Sequence, residues 1–330
     1  MVALVHGTRT RAWRDGRVVA ENFPPSEVSD YLAQEGTTVW MDECEPDESD
    51  LAAIAEELGL HPLAVEDAVH EHQRPKIDHY PSHMFMTAYQ AYLDPDTNVL
   101  AKAEVAAFIT ANALVTVRKS EGFDIDAVVG RWDEADPELA RSGVAFLIHG
   151  LLDFVVDTQY TTMDKLDSAV DGLEDALFGD APTDQTMQRQ TFELRKSLVD
   201  LRRVVLPMRE VVNTLLRRDL RFVDETVQPY FQDVYDHVLR ISEQADSLRD
   251  MIANIYDTQL NLRSNRINVM MKQVTSWAAI AVVPTAVTGW YGMNVPYWGF
   301  GHKSGLYWSI GILLGLSGAL YLLFKRKGWL

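Results

Sequence analysis

Beyond Asp257 this 330-residue chain contains no aspartate or glutamate. All 48 acids lie in the first 257 residues, where they outnumber 23 lysines and arginines and leave a net charge of −25. The other seven bases, Arg263, Arg266, Lys272, Lys303, Lys325, Arg326 and Lys327, share the last 73 residues with no counter-charge. So acidic a body disfavours nucleic acid and favours cations or basic surfaces. A solvated acidic surface kept for solubility is the plainer account of the same charge. Cysteine is nearly absent: Cys44 stands alone, which excludes an intrachain disulfide and a thiolate metal cluster. No Gly-x-x-x-x-Gly-Lys-Ser/Thr loop occurs, so nucleotide-driven pumping has no visible machinery. No nucleophile–base grouping stands out, and an enzyme is not expected. Met1 to Ala20 is arginine-rich without a long apolar run and does not read as a secretory signal.

Charge of either sign is missing from Gln273 to His302. Val274–Tyr291 and Leu306–Phe324 are apolar stretches of 18 and 19 residues, each about long enough to cross a bilayer. Arg263, Arg266 and Lys272 precede the first, and Lys325, Arg326 and Lys327 follow the second; the loop between them has only Lys303. Positive charge stays on the cytoplasmic side. A multi-pass protein of the cell (inner or plasma) membrane is therefore expected, with both termini cytoplasmic and the loop outside. Trp290, Tyr291, Tyr297, Trp298, Tyr307 and Trp308 crowd the outer ends, as an interfacial belt would. Gly311, Gly315 and Ala319 give the second span a small face for close helix packing. Two spans cannot enclose an aqueous path, so a pore demands a ring of copies. Without a ring, the hairpin is only an anchor.

Within residues 1–145, Thr37–Met41 reads as extended, and Ser49–Leu58 and Pro62–His70 as helical. His83–Leu93 and Glu104–Lys119 read as strands, the latter broken at Ala111-Asn112. A small cytosolic α/β domain is expected there. Residues 146–228 read as a long antiparallel helical hairpin. One helix runs to about Phe178 and stops at Gly179-Asp180-Ala181-Pro182; a second runs from about Thr183 to Arg218, with Leu194, Leu198, Leu201 and Val205 on one face. The tip is acidic (Asp167, Asp171, Glu174, Asp175, Asp180, Asp184).

Glycine and proline are absent from the 54 residues Tyr230–Val283, and Pro229 stands where a first-turn proline is tolerated. A helix over such a run is roughly 80 Å long. Val234, Val238, Ile241, Ala245, Leu248, Ile252 and Ile255 recur at alternating four and three, a heptad seam. The expected organisation is α+β: a cytosolic α/β domain (1–145), a helical hairpin (146–228), and a stalk helix continuing into the first span (229–291). An outer loop (292–305), a short second span (306–324) and a basic cytosolic end (325–330) complete it.

One face of the stalk helix carries Asp257, Asn268, Met271, Val274, Ala278, Val282, Thr285 and Gly289 in helical register. These side chains are small, weakly polar or flexible, whereas Trp277, Ile280 and Trp290 fall elsewhere. A helix-packing seam and the lining of a path both fit this pattern. At its end stands Tyr291-Gly292-Met293-Asn294, followed by a second span and a terminal Lys325-Arg326-Lys327-Gly328-Trp329-Leu330. Upstream lie His61-Pro62-Leu63-Ala64-Val65-Glu66-Asp67, His72-Gln73-Arg74-Pro75-Lys76 and Pro229-Tyr230-Phe231-Gln232-Asp233-Val234-Tyr235-Asp236-His237. In this order the segments resemble the CorA family of magnesium and cobalt transporters, over most of the chain.

The resemblance implies a homopentameric funnel in the lipid bilayer. Its first span lines a pore that admits Mg²⁺, with Co²⁺ and Ni²⁺ as further substrates, down the electrochemical gradient. Asn294 matches the motif asparagine whose ring at the outer mouth meets the hydrated ion, and Gly292 and Met293 complete the motif. Mg²⁺ sheds water reluctantly, so amide and carbonyl oxygens that bind its water shell suit its capture, with no carboxylate on the metal. Gly292 permits close backbone approach or an unusual dihedral at the helix end. Met271, Val274 and Val282 match hydrophobic constrictions, which can close by dewetting; Asn268 and Asp257 match polar and acidic rings below them. Asp67 and Asp233 match a carboxylate pair that meets across the subunit interface, with Glu66 beside it. Regulatory Mg²⁺ there would join neighbouring subunits and hold the pore closed. Without the resemblance, each of these acids reads as a solvated helix-surface charge. Family members often carry an acid in the loop after the motif; Val295–Lys303 has none.

His61, His70, His72, His79 and His83 crowd one region, but their spacing matches no standard zinc pattern, and structural or surface roles are expected. Two other functions stay open. One is a zinc or other transition-metal transporter of the same superfamily; the other is a tail-anchored membrane scaffold whose acidic body binds partners.

Overall fold

The computed structural model describes residues 7–70, 73–94, 99–178, 184–217 and 226–330. His72, the expected stop at Gly179–Pro182, Thr183 and Arg218 lie outside them. The chain divides into two compact units, Met1–Ala253 and Asn254–Leu330.

In the first unit, seven strands form one sheet: β1 (Arg9–Arg14), β2 (Arg17–Glu21), β3 (Thr37–Cys44), β4 (Lys76–His79), β5 (Met84–Leu93), β6 (Leu100–Ile109) and β7 (Ala113–Arg118). Their order is β2-β1-β3-β7-β6-β5-β4, with β3 and β7 parallel and every other pair antiparallel. The first three helices are α1 (Val28–Leu32), α2 (Glu48–Leu58) and α3 (Pro62–Val69). The period of two along each strand sorts side chains between faces. Val39 and Met41 of β3 join Val28, Leu51, Ile54, Ala64, Phe85, Phe108 and Val115 in a core beneath α1–α3. Trp40 turns the other way. Its ring meets Trp132 of α4 (Ile125–Glu134) at 4.9 Å, and Trp132 donates its indole N–H to Leu147 O at 3.2 Å. Beyond the short α5 (Pro137–Ala140), Leu147 belongs to α6 (Val144–Phe178), which also lies along β5. The sheet is thus covered on both faces, which is why β3 reads as almost continuously buried.

The expected end of that strand at Met41 falls short by three residues, and the reason is an ion pair. Asp42 is fully buried, yet Arg118 on the parallel neighbour reaches it (Nε to Oδ2, 2.9 Å) and Thr116 donates to its other oxygen at 2.7 Å. Burial holds the Asp42 carboxyl above the usual carboxylate range against the pull of Arg118. Cys44 closes the strand half-buried, and burial likewise pushes its thiol up.

Helix α2 starts at a capping box made by Asp47 and Asp50, and α3 at His61, whose Nδ1 accepts from Leu63 N at 3.2 Å. The His61 ring stacks on Tyr80 (4.7 Å), and Tyr80 stacks on the buried His83 (4.9 Å). These two histidines serve the fold. Helices α6 and α7 (Asp184–Leu216) form the expected hairpin, with Leu194, Leu198, Leu201 and Val205 of α7 all buried.

Helix α8 (Gln228–Tyr291) contributes to both units. Every residue of the heptad seam, Val234 to Ile255, is at most 4% exposed. Phe231 meets His149 of α6 at 5.8 Å between centroids, and Asp246 pairs with Arg202 of α7. In the second unit, α9 (Lys303–Arg326) follows. Among the described residues it is the one helix long and apolar enough to cross a membrane, with a mean hydropathy of 1.7. The other expected span, Val274–Tyr291, is the end of α8, where Thr275, Ser276, Pro284, Thr285 and Thr288 dilute the apolar run.

Candidate functional site

Past Asn254, α8 has one covered side. Ser276, Val283 and Val287 are buried and share a face, and α9 returns beside it, with Trp277 and Tyr321 rings 6.5 Å apart. The stripe Met271, Val274, Ala278, Val282, Thr285 and Gly289 lies roughly 180° around the helix from that face. All six are exposed, Val274 at 64% and Val282 at 62%. Asn268 and Asp257 are exposed as well. Among the described residues of this unit, nothing packs on the stripe. The small residues expected to serve close packing of the second span behave likewise. Gly311, Gly315 and Ala319 are exposed, and the partly covered row of α9 is instead Leu313, Ser317, Leu320 and Phe324.

Pro284 sits inside α8 and has no N–H for the carbonyl of Ile280. One turn later the Thr288 hydroxyl donates to Pro284 O at 2.8 Å. At the end of the helix Gly292 N donates to Thr288 O at 2.9 Å. The φ of Gly292 is not positive, and a Cβ there would stand 3.0 Å from Thr288 O. Close backbone approach, not an unusual dihedral, is what this glycine permits. Met293 and Asn294 are exposed, and the Asn294 amide makes no hydrogen bond to the described residues. It is free to meet a solute.

The acids expected to act as a sensor lie in the first unit. Asp67, on α3, is partly covered and already engaged: Lys76 Nζ stands 2.6 Å from its Oδ2 and 2.8 Å from Asp78. Asp233, on α8, is open to solvent, with His237 Nδ1 3.7 Å away. Glu66 is exposed. No ion pair or hydrogen bond joins Asp67 to Asp233 within the chain, and among the described residues no group of three or more His, Cys, Asp or Glu could hold a metal. Lys76 is the site residue that sequence reasoning missed. It was visible as a base near the acid, but no helical or strand period links positions nine apart across a turn. At the hairpin tip Asp164, Asp171, Glu174 and Asp175 are exposed; burial, then the charges of Asp171 and Asp164, push the Asp167 carboxyl up. The side chain of Asp184 and all of Asp180 lie outside the described residues.

The family described as CorA-like Mg2+ transporter protein matches residues 35–326. The cobalt/magnesium transport protein CorA of Thermotoga maritima is 30% identical over 283 residues, covering 84% of this chain and 79% of that one. The zinc transport protein ZntB of Yersinia enterocolitica is 23% identical over 283 residues, 85% of this chain and 83% of its own length. Among solved structures, the complete CorA magnesium transporter from Methanocaldococcus jannaschii superposes over 100% of both chains, with a TM-score of 0.77 at 20% identity, a likeness of fold. With a match that runs from before β3 through β7, the hairpin, α8 and α9, the chain belongs to the CorA-like Mg2+ transporter family.

Proposed function

We propose that copies of this chain assemble as a ring of five in the cell membrane and conduct Mg²⁺ inward, the stripe on α8 facing the path. The observation that carries this is the stripe itself: a row of small and apolar residues that the described residues leave uncovered, ending at an Asn294 amide with no hydrogen-bond partner among them. Five such amides at the mouth would hydrogen-bond the water shell of the ion. That suits a cation reluctant to dehydrate and a path whose membrane stretch holds no acid. Met271, Val274 and Val282 would form its apolar constrictions, with Ala278, Thr285 and Gly289 between and above them and Asn268 and Asp257 below. The membrane potential supplies about 2.3 kcal/mol per charge per 100 mV, doubled for a divalent ion, so transport needs no chemical step and no enzymatic site.

Asp67 and Asp233 of adjacent copies, with Glu66 nearby, would form the regulatory Mg²⁺ site. The residues fit this role in part. Asp233 offers an open carboxylate, whereas Asp67 is held by Lys76, which a divalent ion would have to displace. Five sites acting together each need supply only about 1 kcal/mol to move a two-state pore.

The test is ion flux into liposomes holding the purified protein, with Mg²⁺, Co²⁺, Ni²⁺ and Zn²⁺ compared, beside its mass in detergent. Mg²⁺ entry, a mass of five copies, and loss of entry on Asn294→Ala with assembly intact are expected. A preference for Zn²⁺ would support the zinc function carried in the name of the 23% identical relative. No flux of any of the four would leave a membrane scaffold.

A further inference from the structure

The last carbonyls of a helix have no partner within it and must be satisfied from elsewhere. At the end of α8, Thr288 O accepts from Gly292 N at 2.9 Å and Trp290 O from Met293 N at 3.4 Å. Tyr291 O accepts from a side chain six residues on, the hydroxyl of Tyr297, at 3.0 Å. The Tyr297 ring also stands edge-on to Tyr291, with centroids 4.9 Å apart, and to Phe300 at 5.2 Å. Phe300 N bonds back to Tyr297 O at 3.0 Å. The rest of the loop is held against α9. Gly299, with φ +87°, lies so close to the buried Gly305 that a Cβ on Gly305 would stand 2.6 Å from Gly299 O. Tyr297 therefore ties the residue before Gly292-Met293-Asn294 to a loop that is itself anchored on the next helix. Among the described residues Asn294 has no hydrogen-bond partner to fix it.

We infer that Tyr297 is a positioning residue for ion capture: its hydroxyl sets the end of α8, and with it the place of Asn294 at the mouth. Resting on the channel function proposed above, this predicts a defect in capture and not in permeation. A ring of amides that must match a hydrated ion depends on where the backbone ends, whereas the constrictions along α8 do not.

Tyr297→Phe removes the hydroxyl and keeps the ring. Mg²⁺ entry into liposomes should then show a half-saturating concentration raised roughly two- to tenfold, the range expected for one lost hydrogen bond, with maximal rate and assembly retained. Hydrogen exchange of the backbone over Tyr291–Asn294 should quicken in the same variant. Tyr297→Leu, which also loses the ring contacts, should shift half-saturation further. An unchanged half-saturation in Tyr297→Phe overturns the inference, and so does a fall in maximal rate alone or a loss of the oligomer. Failure of the unaltered protein to pass Mg²⁺ would instead strike the proposed function.

Discussion

The two parts of α8 answer the question of what a helix is for in opposite ways. From Val234 to Ile252 its apolar row is buried, on a helix that meets the chain's own α6 and α7, and every exposed residue but Ser247 is charged. From Asn254 on, Leu260, Ile267, Met271, Val274 and Val282 are all exposed, and among the described residues of the span itself Ser276, Val283 and Val287 alone are buried. The first part is complete as a monomer. The second leaves uncovered more apolar surface than a soluble chain tolerates, and in the function proposed above lipid and other copies would cover it. Difference in burial, more than any motif, separates the residues that hold the fold from those proposed to face the path along a single helix.

That contrast can be broken at several points. The largest effect is expected from Val282→Asp. A carboxylate in an apolar constriction should wet it, giving Mg²⁺ entry that persists at internal Mg²⁺ high enough to close the unaltered protein. Unchanged flux from a correctly assembled variant would mean that the stripe faces something other than the path. Next in size, Ile241→Ala, in the buried seam, should cost about 2–5 kcal/mol of stability, read as a lower midpoint of thermal unfolding in detergent. Met271→Ala, on the open stripe, should leave that midpoint in place and alter flux. Equal destabilisation by the two would erase the distinction between the parts.

The first unit can also be tested as a sensor. In the proposed channel Mg²⁺ should protect the first unit from protease; Asp67→Asn with Asp233→Asn should abolish that protection and should keep Mg²⁺ flux when internal Mg²⁺ is raised. Lys76→Met should act in the opposite sense, lowering the Mg²⁺ needed for protection, because it removes the cation that now occupies Asp67. If protection survives the double change unaltered, the acids around Asp171 and Glu174 become the place to look. The smallest effect concerns pH. Burial, and then the proximity of His61, lower the His83 pKa below its ordinary 6.5. The folded protein therefore binds fewer protons there than the unfolded chain. Its contribution is complete above about pH 6.5 and is lost as pH falls through that value towards the depressed one. The unfolding midpoint should drop between about pH 7.5 and about pH 5.5, and His83→Gln should reduce that drop.

Much of the architecture was legible because it obeys simple periods. The heptad seam of α8, the leucines of α7 and the strands β5 to β7 repeat side-chain types at intervals that one helix or one sheet face imposes. What escaped is what long-range pairing decides. Strand β1 hides behind Arg9, Arg11 and Arg14, and only its place between β2 and β3 makes it a strand. Asp42 looks like a strand end until Arg118, on a neighbour far along the chain, makes its burial tolerable. The stripe on α8 could be listed from spacing alone, but whether it was a seam or a lining depended on where α9 returned. Lys76 and Tyr297 reach their partners across turns, where no period applies. The proposed pairing of Asp67 with Asp233 would join two copies and rests on the family resemblance.

Cys44, the chain's single thiol, lends itself to one further use. Burial raises its pKa, so the nucleophilic thiolate is scarce at neutral pH. A cysteine placed at Thr285 or Val282 would then be modified by a water-soluble thiol reagent against a quiet background. The molecule comes ready for accessibility mapping of the proposed path, one position at a time, with the native thiol left where it is.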